Sequence, residues 1–273
     1  MLRMETETGW WLITHPEHAR LAGAFAAAWG NAQFRKPEPR ARVLYGIATH
    51  DDGWTERDAR PSITRQGKPS AFSTELVGKY SAFEEIDLAE YLAVRERAVR
   101  AIAERDAYAG LLIAKHTYNL LTAHADRSTI SVDQLPLLAA FLDGQRTYQR
   151  ELIAKIEQDQ ELTPLEKEAQ RIEEHFRLLQ ACDNLSLLAC VAFAAPAHLL
   201  HPLPLNDGGC AEIEVLPIGA RHFRLEPWPF ADAELTFRFP ARHVEGHVFE
   251  SSEDLEAAFA AAPVETLGVT LSM

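Results

Sequence analysis

The stretch IATHDDGWTERD, residues 47–58, places a histidine and two aspartates where an apolar helix pattern ends before a glycine. The pattern that leads into it repeats at helical spacing and consists of Val43, Ile47, His50 and Trp54. Residues at this spacing share one helix face, so His50 is predicted to point into the protein, with Asp51 about 100° further round. At the last turn before a glycine, both side chains can reach inward. The stretch therefore raises the question of what a buried His-Asp pair binds.

Three other titratable residues, His18, His116 and Asp183, interrupt apolar helix faces in the same way. The residues that share their faces are Leu21, Ala22, Phe25 and Trp29 for His18, Leu112, Ile113 and Leu120 for His116, and Ile172, Phe176, Leu179, Ser186 and Cys190 for Asp183. All three are therefore predicted to be buried.

A buried carboxylate needs a partner, because an isolated one costs at least several kcal/mol. The helix faces that carry these residues offer no lysine or arginine at a suitable position. The simplest partner is a cation held jointly by His18, His50, Asp51 and Asp183. A mixed set of imidazoles and carboxylates suits Mn, Fe, Ni or Zn better than calcium, which prefers oxygen ligands alone. One divalent transition metal per chain is the prediction.

Each of these residues also has a structural interpretation. A histidine on an apolar face commonly bonds a backbone carbonyl inside the core, which would account for His18 or His116 taken alone. Asp183 could be a buried cap, or it could pair with Arg146 or Arg150 from a distant helix. The coincidence of four such residues on separate helix faces favours the metal site over these alternatives.

Helical patterns dominate residues 1–200, and period-two patterns dominate the last 70 residues. Thr14 and Pro16 look like the cap and first turn of a helix. Further helices are predicted over residues 88–104, 107–123, 134–158, 164–195 and 252–261, and a long Pro-, Gly- and Ser-rich loop over residues 61–80. Such loops often cover a site. The predicted fold class is mainly α, a helical bundle over residues 1–204 with a small C-terminal antiparallel β appendage over residues 205–273 (α+β).

Composition restricts the partners. The chain has 273 residues and a formal net charge of −13, which argues against a nucleic-acid partner. The three cysteines are Cys182, Cys190 and Cys210, and they form no CxxC pair, which argues against a disulfide framework or a structural zinc site. No targeting leader or membrane span is predicted. We therefore expect a cytoplasmic protein that does not bind membranes, with homo-oligomerisation left open.

The order His18, then His50 and Asp51, then Asp183 resembles the HD-domain superfamily of metal-dependent phosphohydrolases. The segment LLQACDNLSLLAC around Asp183 resembles the closing helix of that superfamily. More closely, WWLITHPEHARLAGAFAAAWG, HDDGW, GKPSAF and AKH together resemble an uncharacterised bacterial family known only as a domain of unknown function, over most of residues 10–195. The superfamily resemblance implies an HD-like helical bundle, a metal bound by His18, His50, Asp51 and Asp183, and hydrolysis of a small phosphorylated substrate by metal-activated water.

On this hypothesis, Asp52 is the candidate base that takes a proton from water, and His116 faces the substrate or donates to the leaving oxygen. The candidate substrate-binding residues are Trp54, which would wall the pocket, Lys68 on the loop, Lys115 and His124. Each has a simpler alternative: a surface or capping carboxylate for Asp52, core packing for His116 and Trp54, and exposed positions for the two lysines.

Two other functions remain open. A di-iron oxygenase of the HD type would need about six protein ligands. The nearest further histidines, His124 and His175, each lie eight residues from a candidate ligand, about 12 Å along a helix, so neither can readily share a metal with it. A non-catalytic ligand-binding or regulatory module on a degenerate HD scaffold would bind a metal without turnover, or bind none.

Overall fold

The structure, a computed structural model, describes residues 1–78, 87–125 and 127–273. About 50% of the chain is helical and 21% lies in strands, and seven strands form one curled mixed sheet. The prediction of a mainly α, HD-like bundle with a small antiparallel β appendage is therefore wrong. The sheet is larger than expected because it recruits strands from the N-terminal region as well as the C-terminal one. Residues 79 and 80 of the predicted loop lie outside the described residues.

The main sheet contains β1 (Leu2–Glu5), β2 (Gly9–Ile13), β3 (Ala197–His198), β6 (Glu214–Gly219), β7 (His222–Glu226), β8 (Glu234–Glu245) and β9 (Val264–Ser272). Its order is β1-β2-β8-β9-β7-β6-β3. Strands β7 and β9 pair in parallel, and the other described neighbours pair antiparallel. Two short strands, β4 (Leu203–Pro204) and β5 (Cys210–Ala211), form a separate pair.

The N-terminal hairpin β1–β2 was not predicted, and its burial explains why. Leu2 and Ile13 belong to the main core, whereas Trp10 and Leu12 belong to a second core on the opposite face of the sheet. A strand that is covered on both faces shows no alternation of apolar and polar residues, so period two is absent. Strand β2 pairs with β8, so the sheet draws on both sides of the predicted boundary at residue 204.

The helices are α1 (His15–Ala28), α2 (Arg40–Thr49), α3 (Thr55–Asp58), α4 (Leu88–Arg105), α5 (Ala107–Asn119), α6 (Leu135–Gln158), α7 (Ala169–Cys190) and α8 (Ser252–Ala261). The last of these has the predicted bounds, and Thr14 caps α1 as expected by accepting from Glu17 N. Helix α5 ends earlier than predicted and continues as a π-helical turn, Leu120–His124. Helix α7 is also shorter than predicted at both ends. Among the described residues, no helix combines the length and apolarity that crossing a bilayer requires.

Small residues let the helices that carry the predicted ligands approach closely. A Cβ added at Gly23 of α1 would lie 2.6 Å from Cβ of Ala48 on α2, and one added at Gly46 of α2 would lie 3.1 Å from Cα of Ala109 on α5. Larger side chains would force the helices apart at both crossings. The close packing holds the end of α2, with His50 and Asp51, between α1 and α5.

Candidate metal site

Five titratable side chains from four helices meet in the interior of the protein. His18 lies on α1, His50 and Asp51 follow α2, His116 lies on α5, and Asp183 lies on α7. None is more than 5% exposed. The sequence prediction that these residues point inward is confirmed, and the structure brings all four predicted ligands together with His116.

His50 is oriented by a backbone carbonyl. Its Nδ1 donates to the carbonyl oxygen of Ile47 at 2.8 Å, so Nε2 carries a lone pair when the ring is neutral. Nε2 lies 3.3 Å from Asp183 Oδ1 and 3.8 Å from Asp51 Oδ2. This nitrogen is buried and makes no hydrogen bond to any described residue.

His18 is oriented in the same way by a hydroxyl. Ser186 Oγ donates to the backbone carbonyl of Asp183 at 2.8 Å, so it accepts from His18 Nδ1, which is 2.9 Å away. The other nitrogen of His18, Nε2, lies 3.0 Å from Asp51 Oδ2. A neutral His18 therefore also directs a lone pair at a carboxylate oxygen.

Two lone pairs facing two buried carboxylates repel unless a proton or a cation lies between them. Without a metal ion, burial lowers the pKa of His50, but Asp51 and Asp183 outweigh burial and raise that pKa to about 9. Burial likewise raises the pKa of Asp183, and the histidines His50, His116 and His18 reverse the effect and lower it. The site thus requires added positive charge, which either protons or one divalent ion can supply.

Within parts of the cluster, the separations between candidate ligand atoms fit a metal ion. Bonds of about 2.1 Å place neighbouring ligand atoms about 3.0–3.5 Å apart in tetrahedral or octahedral sites. The observed distances are 3.0 Å from His18 Nε2 to Asp51 Oδ2 and 3.3 Å from His50 Nε2 to Asp183 Oδ1. Two groups of residues have ligand atoms close enough to hold a metal: His18, His50 and Asp51, and His50, His116 and Asp183. His50 is common to both.

His116 differs from the other two histidines in its tautomer. Gln180 Nε2 lies 2.5 Å from His116 Nδ1 and donates to it, so a neutral His116 carries its proton on Nε2. That nitrogen lies 3.9 Å from Asp183 Oδ2. Burial lowers the pKa of His116 to about 3, against the opposing effect of Asp183. In this tautomer His116 is arranged as a neutral donor at the edge of the site, although it also belongs to one of the two groups that could hold a metal ion.

Arg95 on α4 was missed by the sequence analysis. Its Nη1 donates to Asp51 Oδ1, and its Nε lies 3.2 Å from the hydroxyl oxygen of Tyr91. The helix faces that carry the predicted ligands were expected to offer no lysine or arginine, and Arg95 comes from α4, which carries none of those ligands. A signal existed, since Arg95 shares a buried helix face with Leu88, Tyr91, Ala98, Val99 and Ile102.

Neither of the two arginines considered from the sequence, Arg146 and Arg150, pairs with Asp183. Arg146 pairs with Asp143 on the surface of α6, and Arg150 donates to the Arg146 carbonyl and to Thr147. His175, eight residues before Asp183, bonds the hydroxyl of Tyr108 at 2.7 Å.

The remaining candidates lie at different distances from the site. Asp52 Oδ1 forms an ion pair with Arg20 Nη1 at 2.8 Å near the protein surface, and its side chain is 30% exposed. Lys115 Nζ pairs with Glu173 at 3.0 Å. His124 is half-buried at the end of the π-helical turn, and burial lowers its pKa.

A cavity of about 460 Å³ lies beside the cluster and shares Arg95 with it. Trp54 and Lys68, both predicted to contact substrate, line this cavity, whereas Lys115 and His124 do not. The cavity wall also includes residues 61–76 in part, which belong to the predicted loop. Its cationic side chains are Arg3, Arg57, Arg65, Lys68 and Arg95.

Comparisons with known proteins return a family and no individual relative. No curated protein matches the chain, and no solved structure matches it. The model of one family, described as a protein of unknown function (DUF3891), matches residues 1–246 of the 273. The chain therefore belongs to the DUF3891 family.

Proposed function

We propose that this protein is a metal-dependent hydrolase that cleaves a small phosphorylated molecule. The proposal rests on one observation above all. His18 and His50 each use Nδ1 as a donor to a fixed acceptor and direct Nε2 at a buried carboxylate. Protein histidines that bind metal ions are commonly oriented in this way, because the outer hydrogen bond selects the tautomer with a free inner nitrogen.

The proposed ligands are His18 Nε2, His50 Nε2, Asp51 Oδ2 and Asp183 Oδ1, and the ion is Mn, Fe, Ni or Zn. Arg95 would support the site by holding the second oxygen of Asp51. Such an ion supplies Lewis-acid activation of water and of a phosphate ester.

His116 is the proposed proton donor to the leaving oxygen or to a substrate oxygen. Its Nε2–H lies at the edge of the cluster, and Gln180 maintains this tautomer. A neutral imidazole that keeps its proton on the inner nitrogen can donate a hydrogen bond to an anionic group. The adjoining cationic cavity is the proposed binding site for the phosphate.

The arrangement supports one ion rather than the two that an oxygenase would need. His50 occupies Nδ1 with the Ile47 carbonyl, so it can offer only Nε2 and can bind only one ion. The two groups of potential ligands share His50, so if His50 binds an ion in one group, the other group has only two residues left to hold a second ion. We place the protein in the cytoplasm as part of this proposal, since its three cysteines are free thiols.

Elemental analysis by mass spectrometry, on protein purified without a chelator or a metal-binding tag, tests the site. About one equivalent of Mn, Fe, Ni or Zn is expected per chain. The same preparation should hydrolyse 4-nitrophenyl phosphate at a rate that depends on the metal. Two irons per chain would favour the oxygenase, and a metal without hydrolysis of any phosphate ester would favour the binding module. Absence of metal after reconstitution would refute the proposal.

A further inference from the structure

The cationic cavity contains two separate groups of positive charge, each beside a tryptophan. The inner group consists of Arg95 and Arg57, whose guanidinium carbons lie 5.3 Å and 5.7 Å from the centre of the Trp54 ring. Arg95 also bonds Asp51, so this group adjoins the candidate metal site directly. A ring that faces two guanidinium groups fixes their positions through cation–π attraction.

The outer group consists of Arg3 on β1 and Lys68 on the loop. The Arg3 guanidinium carbon lies 5.2 Å from the centre of the Trp10 ring, and Lys68 Nζ lies 6.0 Å from it. Both residues line the cavity and also a second cavity of about 360 Å³. The outer group is therefore accessible from the cavity although Arg3 is only 8% exposed.

Arg95 is paired with the buried Asp51, whereas the other three cations, Arg57, Arg3 and Lys68, have no buried carboxylate partner among the described residues. Arg3 reaches Glu75 at 3.4 Å, but that carboxylate is 72% exposed, and the buried Nε of Arg3 has no acceptor among the described residues. Arg57 reaches Glu90 at 3.6 Å, and Glu90 is 57% exposed. No carboxylate of the described chain lies within 4.0 Å of Lys68 Nζ.

This concentration of cations is unusual for a chain whose net charge is −13. Like charges held together in a cavity repel one another and cost free energy unless an anion joins them. Asp58, which also lines the cavity, already pairs with the Met1 ammonium at 2.8 Å and contacts His15 at 3.0 Å, so its charge is not available to either group. Arg57 of the inner group and both cations of the outer group thus lack a buried carboxylate, which indicates two binding positions for anions.

We propose that the substrate is a small molecule with two anionic groups, a phosphate at the inner position and a second phosphate or a carboxylate at the outer position. This inference rests on the proposed function, because it assigns the phosphate that is cleaved to the end beside the metal site. A cavity of about 460 Å³ has the volume of a typical small-molecule site. The outer position selects the substrate and takes no part in the chemistry.

Binding of non-hydrolysable phosphonates tests the inference on the full-length, metal-loaded protein. Isothermal titration calorimetry compares methylphosphonate, which has one anionic group, with alkane-α,ω-bisphosphonates of two, three, four and six carbons. At least one bisphosphonate should bind about tenfold or more tightly than methylphosphonate, because a charge-assisted contact in a partly buried site contributes this much. The best spacer length then measures the distance between the two positions.

The variant Lys68→Ala should reduce the affinity of the best bisphosphonate by about tenfold and reduce the affinity of methylphosphonate by much less. Lys68 is only partly buried, so its replacement should not prevent folding. The matched control is Lys155→Ala, which removes an exposed lysine of α6 outside the cavity. Lys68→Gln checks that the loss comes from charge rather than from packing.

The outcomes separate the two proposals. Equal affinities for methylphosphonate and every bisphosphonate, or an equal loss of both in Lys68→Ala, would overturn the inference and leave metal-dependent hydrolysis of 4-nitrophenyl phosphate untouched. A bisphosphonate preference that Lys68→Ala abolishes would support the two positions even in a protein that hydrolyses nothing, in which case the proposed function alone would fail.

Discussion

Helix α7 carries a buried histidine, His175, and a buried aspartate, Asp183, whose surroundings are opposite. His175 Nδ1 forms a hydrogen bond with the Tyr108 hydroxyl at 2.7 Å, a neutral partner that satisfies a neutral ring. Asp183 faces His18, His50 and His116. The two positions are eight residues apart, about 12 Å along the helix. The comparison teaches that a titratable residue on an apolar face becomes a candidate site only when its neighbours leave charge uncompensated.

The pKa values express the same contrast. Burial lowers the pKa of His175 to about 3, with further lowering by Arg171 and Arg35, so the ring is neutral at neutral pH. At the other position, carboxylates outweigh burial and raise the pKa of His50 to about 9 in the absence of a metal ion. At neutral pH the His175 ring is therefore neutral, whereas the His50 ring beside Asp183 is protonated when no metal ion is bound.

The largest expected effect comes from removing a proposed ligand. Asp183→Ala and His50→Ala should each lower metal content from about one equivalent to below roughly 0.1 per chain, because each removes one of the four proposed metal ligands. Phosphate-ester hydrolysis should fall by more than about a hundredfold. Circular dichroism should show that the fold survives.

The matched control for that prediction is His175→Ala, which removes another buried histidine, one outside the candidate metal site. It should keep full metal content and lose stability alone. Stoichiometric metal in Asp183→Ala would refute the ligand assignment, and loss of metal in His175→Ala would abolish the contrast between the two positions.

Removal of Arg95 should have an intermediate effect. Arg95→Gln leaves Asp51 in place without its guanidinium partner, and outer-shell partners of metal ligands contribute about 10- to 100-fold in affinity. Metal titration against a chromophoric chelator measures the change. Unaltered affinity would mean that Arg95 serves the cavity and does not support the ligand. Arg100→Gln, an exposed change on the same helix, is the control.

The neutral His175 makes stability depend on pH. A histidine in an unfolded chain titrates near pH 6.5, whereas His175 in the folded protein titrates at about pH 3. Its folded-state pKa is depressed, so the unfolded state takes up the proton first, and stability is lost as pH falls below about 6.5. Between pH 7.5 and pH 5.0 this loss should be about 2 kcal/mol.

The variant His175→Gln keeps a hydrogen-bonding partner for Tyr108 and cannot titrate. Urea unfolding at both pH values should show that the wild-type protein loses about 2 kcal/mol more than the variant. Other groups that titrate in this range are common to both proteins and cancel in the difference. Equal losses in the two proteins would mean that His175 is accessible to protons in the folded state.

The smallest expected effect is that of Asp52→Asn, which breaks the partly exposed ion pair with Arg20. Such pairs contribute about 1 kcal/mol or less, so stability should fall by no more than that, and metal content should stay the same. Because Asp52 was also predicted as the catalytic base, kcat should be measured. A base would lose roughly 100- to 10,000-fold on substitution.

Helical spacing was sufficient to predict burial of His18, His50, His116 and Asp183, because a 3.6-residue period places a side chain on a face whatever the helix packs against. It was also sufficient for the bounds of α8, which starts with the capping serine Ser251. Local patterns determine such features, and no distant contact needs to be known.

The features that were missed depend on distant contacts. Strand β2 forms because β8 supplies its hydrogen bonds and apolar layers cover both of its faces. The five residues of β2 reveal neither the partner strand nor the covering layers. Arg95 lies 44 residues from Asp51 in the chain, so their pairing follows from the packing of α4 rather than from spacing. His175 is buried like the site histidines, and its hydrogen bond to the Tyr108 hydroxyl distinguishes it from them.

The pairing of β2 with β8 also has a consequence for synthesis of the chain. Strand β2 ends at Ile13 and its partner β8 begins at Glu234, so more than 200 further residues must be translated before the N-terminal hairpin can pair with β8. At about 5–20 residues per second, that wait is roughly ten to forty-five seconds. The last proposed ligand, Asp183, emerges earlier than β8. During synthesis the four helices can therefore gather the ligands before the sheet closes and completes the cavity, which contains Arg3 of β1.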